Sequence, residues 1–318
     1  MEYEPVTHTT ADRRLGRLPS GAEVGVTVHR YVGGDGPTVH VQAAQHGIEL
    51  NGAAALRRLH GRLVSGTVAG TVVVVPVANP LAFDHRSYLT PAAYDALNPN
   101  LNRVWPGDDG GSLQERLAAR LWELVREADA VVDLHTGTAD TLEHVRFRPE
   151  APESRALAEA FGSEYLLADR ANAMEDGGGK LRAAAVRADI PAVTAELANS
   201  RTVAHSAADA GADGVWNVLR ELDVLPDSPV STPSPAVLED DAASPRAASS
   251  GLFELRPDVS VGDRVDAGDE LGAVFCPSSF ERLQTVTVGS SGVLYSLARE
   301  AVVVAGERLA GVATPVEG

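Results

Sequence analysis

The sequence predicts an α/β fold in which helices cover both faces of a mixed, largely parallel sheet, followed by a small all-β domain. Predicted strands and helices alternate as far as residue 222, which favours parallel strands joined by helices. Beyond residue 250 only short strands and glycine turns remain. Hydrophobic residues make up 44% of the 318 residues and aromatic ones only 5%. The core must therefore consist mainly of Val, Ala and Leu, which suits a sheet buried between helices.

The first half of the chain contains three predicted strands and one helix. Residues 25–44 alternate between apolar and polar positions around a turn at residues 33–37, which predicts a strand, a tight turn and a second strand. Apolar spacing predicts a helix over residues 53–63, and the apolar run 72–77 predicts a buried strand. Residues 81–111 are rich in Pro, Gly, Asn and Asp. So long an irregular stretch inside a domain is usually functional.

The second half continues the alternation. Ser112, with Glu115 three residues later, forms a capping-box pattern that predicts the start of a helix. A short strand follows and ends at His135. Helices are predicted over residues 153–161 and after Lys180. A further strand is predicted over residues 190–197, and a closing helix over residues 207–222.

Changes in composition divide the chain into three parts. Residues 1–225 form the predicted catalytic domain, residues 226–250 a linker rich in Pro, Ser, Asp and Ala, and residues 251–318 the small β domain. Within the last part, residues 264–274 align without gaps on residues 302–312. This repeat predicts two related hairpins with pseudo-twofold packing.

The charge balance excludes two classes of partner. The chain carries 27 Lys and Arg residues against 44 Asp and Glu, a formal net charge of -17. Nucleic acids and anionic membranes both require basic surfaces, so neither is expected as a partner. The acidity fits an ordinary acidic cytosolic protein or a salt-adapted one. The sequence leaves the oligomeric state open, and a homo-oligomer is compatible with it.

Other features indicate a cytoplasmic protein. Residues 1–14 are polar and lack the apolar core of a signal peptide. The longest apolar stretch, residues 68–78, is shorter than the roughly 20 residues that span a bilayer. The single cysteine, Cys276, excludes an intramolecular disulfide.

Three residues form a candidate metal site. His46 and Glu49 follow the second predicted strand, and Gly47 between them permits a turn that brings both onto one ion. His135 ends another buried strand, and ligands gather at the carboxyl ends of parallel strands. Two His and one Glu are a recurrent ligand set of catalytic zinc. The alternative for each histidine is a structural role, and His85 and His144 are the main competitors as ligands.

Further candidates lie on strand ends and loops. Glu196 ends a strand of Val and Ala, where a carboxylate serves either as a proton carrier or as a salt-bridge partner of an arginine such as Arg201. In the irregular segment, Arg103 suits a substrate carboxylate. Arg86 suits a developing oxyanion, although a surface role is the other interpretation. Arg146 and Arg148 are candidates for recognising the substrate side chain.

These motifs resemble the succinylglutamate desuccinylase/aspartoacylase family of the zinc carboxypeptidase superfamily. The resemblance covers residues 39–222 and the β domain, and it rests on an ordered set of motifs: His46-Gly-Ile-Glu49, Asn79-Pro80, residues 101–107, Asp133-Leu-His135 and Glu196. The chain is most similar to the branch whose members remove an acetyl group from diamino acids formed in ectoine breakdown.

The resemblance implies a zinc-dependent amidohydrolase that acts on a small N-acyl amino acid. It implies one zinc ion per chain, held by His46, Glu49 and His135, and a proton carrier at Glu196. Asn102 and Arg103 match the pair that grips the substrate α-carboxylate. The family's carbonyl-polarising arginine lies where this chain has Asp95, and Arg86 is the nearest stand-in.

The C-terminal hairpins resemble modules that carry biotin or lipoate on a lysine. The last lysine of this chain is Lys180, so the β domain carries no such cofactor, and we expect it to be a lid or wall of the active site. Two alternatives remain: a metallocarboxypeptidase that acts on peptides, and a non-catalytic binding protein with the same fold.

Overall fold

A sheet of 14 strands and a second sheet of four strands make up the β structure of the computed structural model, which describes residues 1–137, 140–169, 179–228, 230, 234–240 and 243–316. The strands are β1 (Glu4–Pro5), β2 (Thr7–Arg17), β3 (Glu23–Val32), β4 (Gly34–Ala43), β5 (Thr67–Val75), β6 (Ala130–Gly137), β7 (Asp140–Thr141), β8 (His144–Phe147), β9 (Tyr165–Ala168), β10 (Ala192–Asn199), β11 (Ala236–Asp240), β12 (Gly251–Leu255), β13 (Arg264–Val265), β14 (Glu270–Phe275), β15 (Arg282–Thr287), β16 (Gly292–Leu297), β17 (Val302–Val303) and β18 (Ala310–Pro315). The helices are α1 (Asn51–Leu63), α2 (Pro80–Asp84), α3 (Leu113–Val125), α4 (Pro152–Phe161), α5 (Leu181–Arg187) and α6 (His205–Glu221), with a 3-10 turn at Leu101–Arg103.

The centre of the large sheet is parallel. Strand β4 pairs in parallel with β5 and β6, and β6 pairs in parallel with β10. On the other side of β10, strand β8 is antiparallel, so the sheet is mixed. The predicted α/β class is confirmed, and the carboxyl ends of β4, β6 and β10 meet at one edge, as expected for ligand sites in such sheets.

Helices cover both faces of this sheet. Helices α1, α4 and α6 pack on one face, where Leu59, Leu157 and Val218 join a core with Val132 and other strand residues. Helices α3 and α5 pack on the opposite face. Ser112 caps α3 with the predicted capping box. In the part of the chain that the structure describes, no helix is long and apolar enough to cross a membrane.

Alternation along the central strands places polar side chains on the α3 and α5 face. In β6, Val132 and Leu134 belong to the core under α1, whereas Val131 belongs to the opposite core. Because strand residues alternate between faces, Asp133 and His135 lie on the side of Val131. The same rule places Thr194 and Glu196 of β10 beside them.

The N-terminal region differs from the expectation. Strand β2 was not predicted, because its mostly exposed residues are polar on both sides. It pairs with β3 at the edge of the sheet. Strands β3 and β4 are adjacent in sequence but do not pair with each other, because β5 lies between them, antiparallel to β3 and parallel to β4.

The segment 226–250, expected to be a linker, contains strand β11. This strand pairs in parallel with β9 and antiparallel with β18, so it joins the C-terminal strands to the large sheet. A run of only five residues among Pro and Ser gives too short a pattern to reveal a strand. The division of the chain into domains stays a prediction.

The predicted internal repeat is confirmed in the backbone. Gly268 and Gly306, which align in the repeat, both have positive φ, 97° and 95°, a conformation that favours glycine. Strand β12 pairs with β14 and β17, and β16 pairs with β18 and β13 in the same way. The two strands of each repeat lie in different sheets and do not pair with each other, so the prediction that each repeat forms a hairpin is wrong. Both repeats nevertheless contribute to one core, which includes Phe253, Val274 and Val312.

Candidate active site

Three buried side chains converge at the carboxyl edge of the central strands. His46 and Glu49 lie in the turn between β4 and α1, and His135 lies on β6. One ligand atom from each of the three lies within 4.8 Å of the others. A Cβ at Gly47 would lie 2.0 Å from the backbone oxygen of Ala82. The turn therefore needs glycine, because the chain passes so close to its neighbour.

The imidazole of His135 is held on both sides by carboxylates. Its Nδ1 lies 2.9 Å from Oε2 of Glu49, and its Nε2 lies 2.9 Å from Oδ2 of Asp133. Gln45 donates to Asp133 at 2.7 Å and accepts from the indole of Trp105 at 2.8 Å. Burial disfavours the charged ring, but the negative charges of Asp133 and, to a smaller extent, Glu49 outweigh the effect of burial. The pKa of His135 therefore lies well above its ordinary value.

Asp133 belongs to one of the motifs found in the sequence, but no role was predicted for it. A signal for it was available, because Asp133 precedes His135 by two residues and therefore shares its face of the strand. A carboxylate that accepts the second ring N–H of a histidine ligand fixes its orientation. Burial opposes the ionisation of Asp133, but His135 and Gln45 hold its pKa below the ordinary value.

The donor set fits a zinc ion. Two imidazoles and one carboxylate are a known catalytic zinc set that leaves a further position open. His46 stacks on Tyr88 with ring centroids 4.0 Å apart. Burial lowers the pKa of His46 to about 4, so its ring is neutral near pH 7, which is the form that binds metals. His46, Glu49 and His135 could hold the ion together.

Glu196 lies beside this triad. It is the register partner of His135 on the neighbouring parallel strand, and its side chain lines the same cavity. Burial, reinforced by the charge of Glu49, raises the pKa of Glu196, although His135 and Arg146 oppose the shift. Arg201, the alternative partner considered for Glu196, instead lies 4.0 Å from Glu300.

Asn102 and Arg103 lie at the cavity on the 3-10 turn. The side-chain oxygen of Asn102 accepts from the backbone N–H of Leu181 at 3.0 Å, which fixes its amide. Its Nδ2 lies 3.4 Å from Nε2 of His135. Arg103 is exposed and donates to the backbone oxygen of Asn102 at 2.6 Å. An exposed guanidinium next to a fixed amide can bind a carboxylate.

Two predicted arginines do not reach the cavity. Arg86 is exposed and is not among the described residues that line it. Asp95, at the position of the family arginine, accepts backbone N–H groups of Gln114 and Asn98 at 2.8 and 2.9 Å. Arg148 is buried, pairs with Glu150 and is not among the described residues that line the cavity.

The two competing histidines have different positions. Nδ1 of His85 lies 2.9 Å from the backbone oxygen of Leu81, and His85 does not line the cavity. His144 does line it and is the register partner of Glu196 on β8. Burial, with Arg146 adding to it, lowers the pKa of His144 to about 3, so its ring is neutral.

The cavity has a volume of about 390 Å³. It is lined by residues that precede position 226 and by residues that follow it. The C-terminal region contributes Tyr295 of β16 and Arg308, which precedes β18. Asp240 of β11 joins them, with Tyr295 Oη 2.6 Å and Arg308 Nη2 2.8 Å from its Oδ1. The region 251–318 was expected to be a lid or wall of the active site, and Tyr295 and Arg308 are among the described residues that line the cavity.

Basic residues line much of the remaining surface. Arg146 lies between Asp169 and Asp240, at 3.8 and 3.5 Å. Lys180 also lines the cavity, and sequence reasoning missed it although it is the chain's single lysine. Burial, together with the charge of Arg182, lowers the pKa of Lys180 to about 8.

The chain is similar to known proteins in both sequence and structure. Residues 35–222 match the succinylglutamate desuccinylase/aspartoacylase catalytic domain. N-alpha-acetyl-L-2,4-diaminobutyric acid deacetylase of Halomonas elongata is 36% identical over 143 residues, which span 42% of this chain and 40% of that protein. The match therefore covers less than half the length of this relative.

Solved structures share the fold over nearly the whole chain. A succinylglutamate desuccinylase/aspartoacylase from Rhodobacter sphaeroides has a TM-score of 0.85 at 24% identity, covering 97% of this chain and 96% of the other. The product-bound ectoine utilization protein EutE (DoeB) from Ruegeria pomeroyi has a TM-score of 0.84 at 24% identity, covering 98% and 96%. At these identities the likeness shows the fold.

Proposed function

Because this chain belongs to the succinylglutamate desuccinylase/aspartoacylase family, we propose that it hydrolyses the amide bond of a small N-acyl amino acid with one zinc ion. The observation that carries this proposal is the convergence of His46, Glu49 and His135 beside Glu196 in one cavity. The partial match to a diaminobutyric acid deacetylase supports the deacylase class.

The three ligand residues would hold zinc, which supplies an acidified water and a Lewis acid for the acyl oxygen. Asp133 keeps the Nε2 side of His135 occupied, so Nδ1 faces the ion site. Tyr88 covers the ring of His46. The polar groups around the ligands thus fix their orientation before any substrate arrives.

Glu196 would move the proton. Its raised pKa suits a carboxylate that takes a proton from the attacking water and then gives it to the departing amine nitrogen. Both transfers can use one side chain because Glu196 borders the ion site and the cavity at once. The products are a free carboxylate and a free amino acid.

Asn102 and Arg103 would hold the α-carboxylate of the substrate. They lie on the turn that borders His135, so a carboxylate there positions the neighbouring amide near the ligands. The C-terminal wall limits the cavity to about 390 Å³, which suits a small acylated amino acid. Arg86, expected to hold the oxyanion, is not among the described residues that line the cavity, so zinc alone would stabilise the oxyanion.

The test compares substrates on one preparation. Protein stripped with a chelator and reloaded with zinc is incubated with N-acetyl-2,4-diaminobutyrate, an N-acylated aspartate, N-succinylglutamate and a dipeptide, and the released amine is quantified. Zinc-dependent hydrolysis of an N-acyl amino acid in preference to the dipeptide is expected. Preference for the dipeptide would indicate a carboxypeptidase, and zinc binding without any hydrolysis would indicate a binding protein.

A further inference from the structure

A second group of histidines lies away from the active site, and we refer to His8, His29 and His60 as the imidazole cluster. His8 lies on β2, His29 on β3 and His60 in the last turn of α1. All three side chains are partly exposed. The cluster thus lies where the edge hairpin β2–β3 meets helix α1, and solvent ions can reach it.

The cluster has the spacing of a metal site. One ring nitrogen from each histidine lies within 4.8 Å of the others. Nε2 of His8 and Nδ1 of His29 are 3.1 Å apart. Two nitrogen ligands on a tetrahedral zinc ion lie about 3.3 Å apart, given Zn–N lengths of about 2.0–2.1 Å. These two nitrogens therefore need almost no movement to share one ion.

A buried tyrosine fixes the third ring. The hydroxyl of Tyr31 lies 2.7 Å from Nδ1 of His60, and Tyr31 is 2% exposed. Its ring also stacks on His8, with centroids 4.7 Å apart. A hydrogen bond of this kind orients a histidine ligand and strengthens metal binding.

The chemistry of the cluster selects the class of ion. Imidazole nitrogens suit zinc, copper and nickel, whereas calcium and magnesium require oxygen ligands. His60 follows Asn51, the first residue of α1, by nine positions, about 14 Å along the helix axis. Since Glu49 precedes that helix, the cluster and the active site cannot share one ion.

We propose that His8, His29 and His60 form a second metal site, which binds a divalent transition-metal ion, with zinc as the probe, and ties the edge hairpin to α1. A bound ion would join segments 52 residues apart in sequence, since His8 and His60 both contact it. Binding to the folded state alone stabilises that state. The site is structural and lies outside the proposed hydrolytic chemistry.

The first test counts zinc per chain by elemental analysis after equilibration with buffered free zinc and desalting. The wild-type protein should hold two ions, His29→Ala and His60→Ala one each, and His46→Ala one. The double variant His46→Ala/His29→Ala should hold none. His205→Ala, which removes an exposed histidine at the start of α6, is the matched control and should hold two.

The second test measures thermal stability and zinc affinity. Zinc should raise the melting temperature of His46→Ala but not that of His46→Ala/His29→Ala. Tyr31→Phe should weaken zinc binding at the cluster by about 10-fold or more. One ion in the wild-type protein, lost in His46→Ala, would overturn the proposal, as would two ions in a His29→Ala protein that retains its circular dichroism spectrum. His29→Ala should retain hydrolysis, so loss of the cluster and failure of the deacylase proposal are distinguishable.

Discussion

Glu196 and His135 are register partners on the parallel strands β10 and β6. Parallel neighbours lie about 4.8 Å apart in the hydrogen-bonding direction, and their side chains project from the same face. The sheet itself therefore positions the proposed proton carrier against a proposed metal ligand. This geometry requires no loop movement, and it can be tested through each of the two residues.

Replacing Glu196 with Gln should lower kcat by at least about 10²–10⁴-fold, because the amide cannot carry the proton. Zinc content should be unchanged, since Glu196 is not a ligand in the proposed site. Hydrolysis rates and elemental analysis on the same sample provide the measurement. A rate close to that of the wild-type protein would remove Glu196 from the mechanism.

Replacing Asp133 with Asn should weaken zinc binding by about 10–100-fold, because the carboxylate orients His135 through its second nitrogen. Competition with a chelator of known affinity measures this change. At saturating zinc much of the activity should return, which separates an orienting role from a catalytic one. Affinity equal to that of the wild-type protein would contradict the role assigned to Asp133.

Replacing Asp169 with Asn should destabilise the fold by about 3–5 kcal/mol, because it leaves the buried Arg182 without its charged partner. In the wild-type protein, Nη2 and Nε of Arg182 lie 2.8 and 3.1 Å from the carboxylate oxygens. Urea unfolding measures the loss. The control is Asp213→Asn, which breaks an exposed pair with Arg62 and should cost less than about 1 kcal/mol.

The same carboxylate predicts a pH dependence. Burial opposes its ionisation, but Arg182 and then Arg146 outweigh burial and hold the pKa of Asp169 below 3.8. A lowered pKa in the folded state contributes stability above the unfolded pKa, and this contribution is lost as the pH falls through the folded value. Between about pH 5 and 3, the wild-type protein should therefore lose stability more steeply than Asp169→Asn. Parallel curves for the two proteins would show that Asp169 ionises as in the unfolded chain.

Lys180 should react with an acylating reagent near pH 8, because burial and Arg182 lower its pKa to about 8. It is the single lysine of the chain, so mass spectrometry of one peptide follows the reaction. Because Lys180 lines the cavity, modification should reduce hydrolysis, and bound product should protect the amine. Labelling that begins only near pH 10 would contradict the lowered pKa.

Much of the site was predictable because it lies on strand ends with strong patterns. The apolar runs that contain or precede His135 and Glu196 predicted both strands. Arg86 could not be assigned in this way, because sequence distance within an irregular segment does not give direction in space. Its side chain is exposed, whereas Asn102 and Arg103, in the same segment, reach the cavity.

Pairing between strands that are distant in sequence also could not be predicted. Strand β5 inserts between β3 and β4, and no local pattern reveals which strands become neighbours. Strand β2 was missed because its polar residues face solvent at the sheet edge. The pairing that brings His8 and His29 close to His60 therefore appears only in the folded chain.

Strand β11 makes the C-terminal wall part of the same hydrogen-bonded sheet as β4, β6 and β10, since it pairs with β9 on one side and β18 on the other. Swinging this wall outward would break backbone pairs and expose two strand edges, which promotes aggregation. The backbone pairs of β11 therefore oppose movement of this wall. Shortening side chains that line the cavity, such as Tyr295, is then the simpler way to make room for bulkier acyl groups.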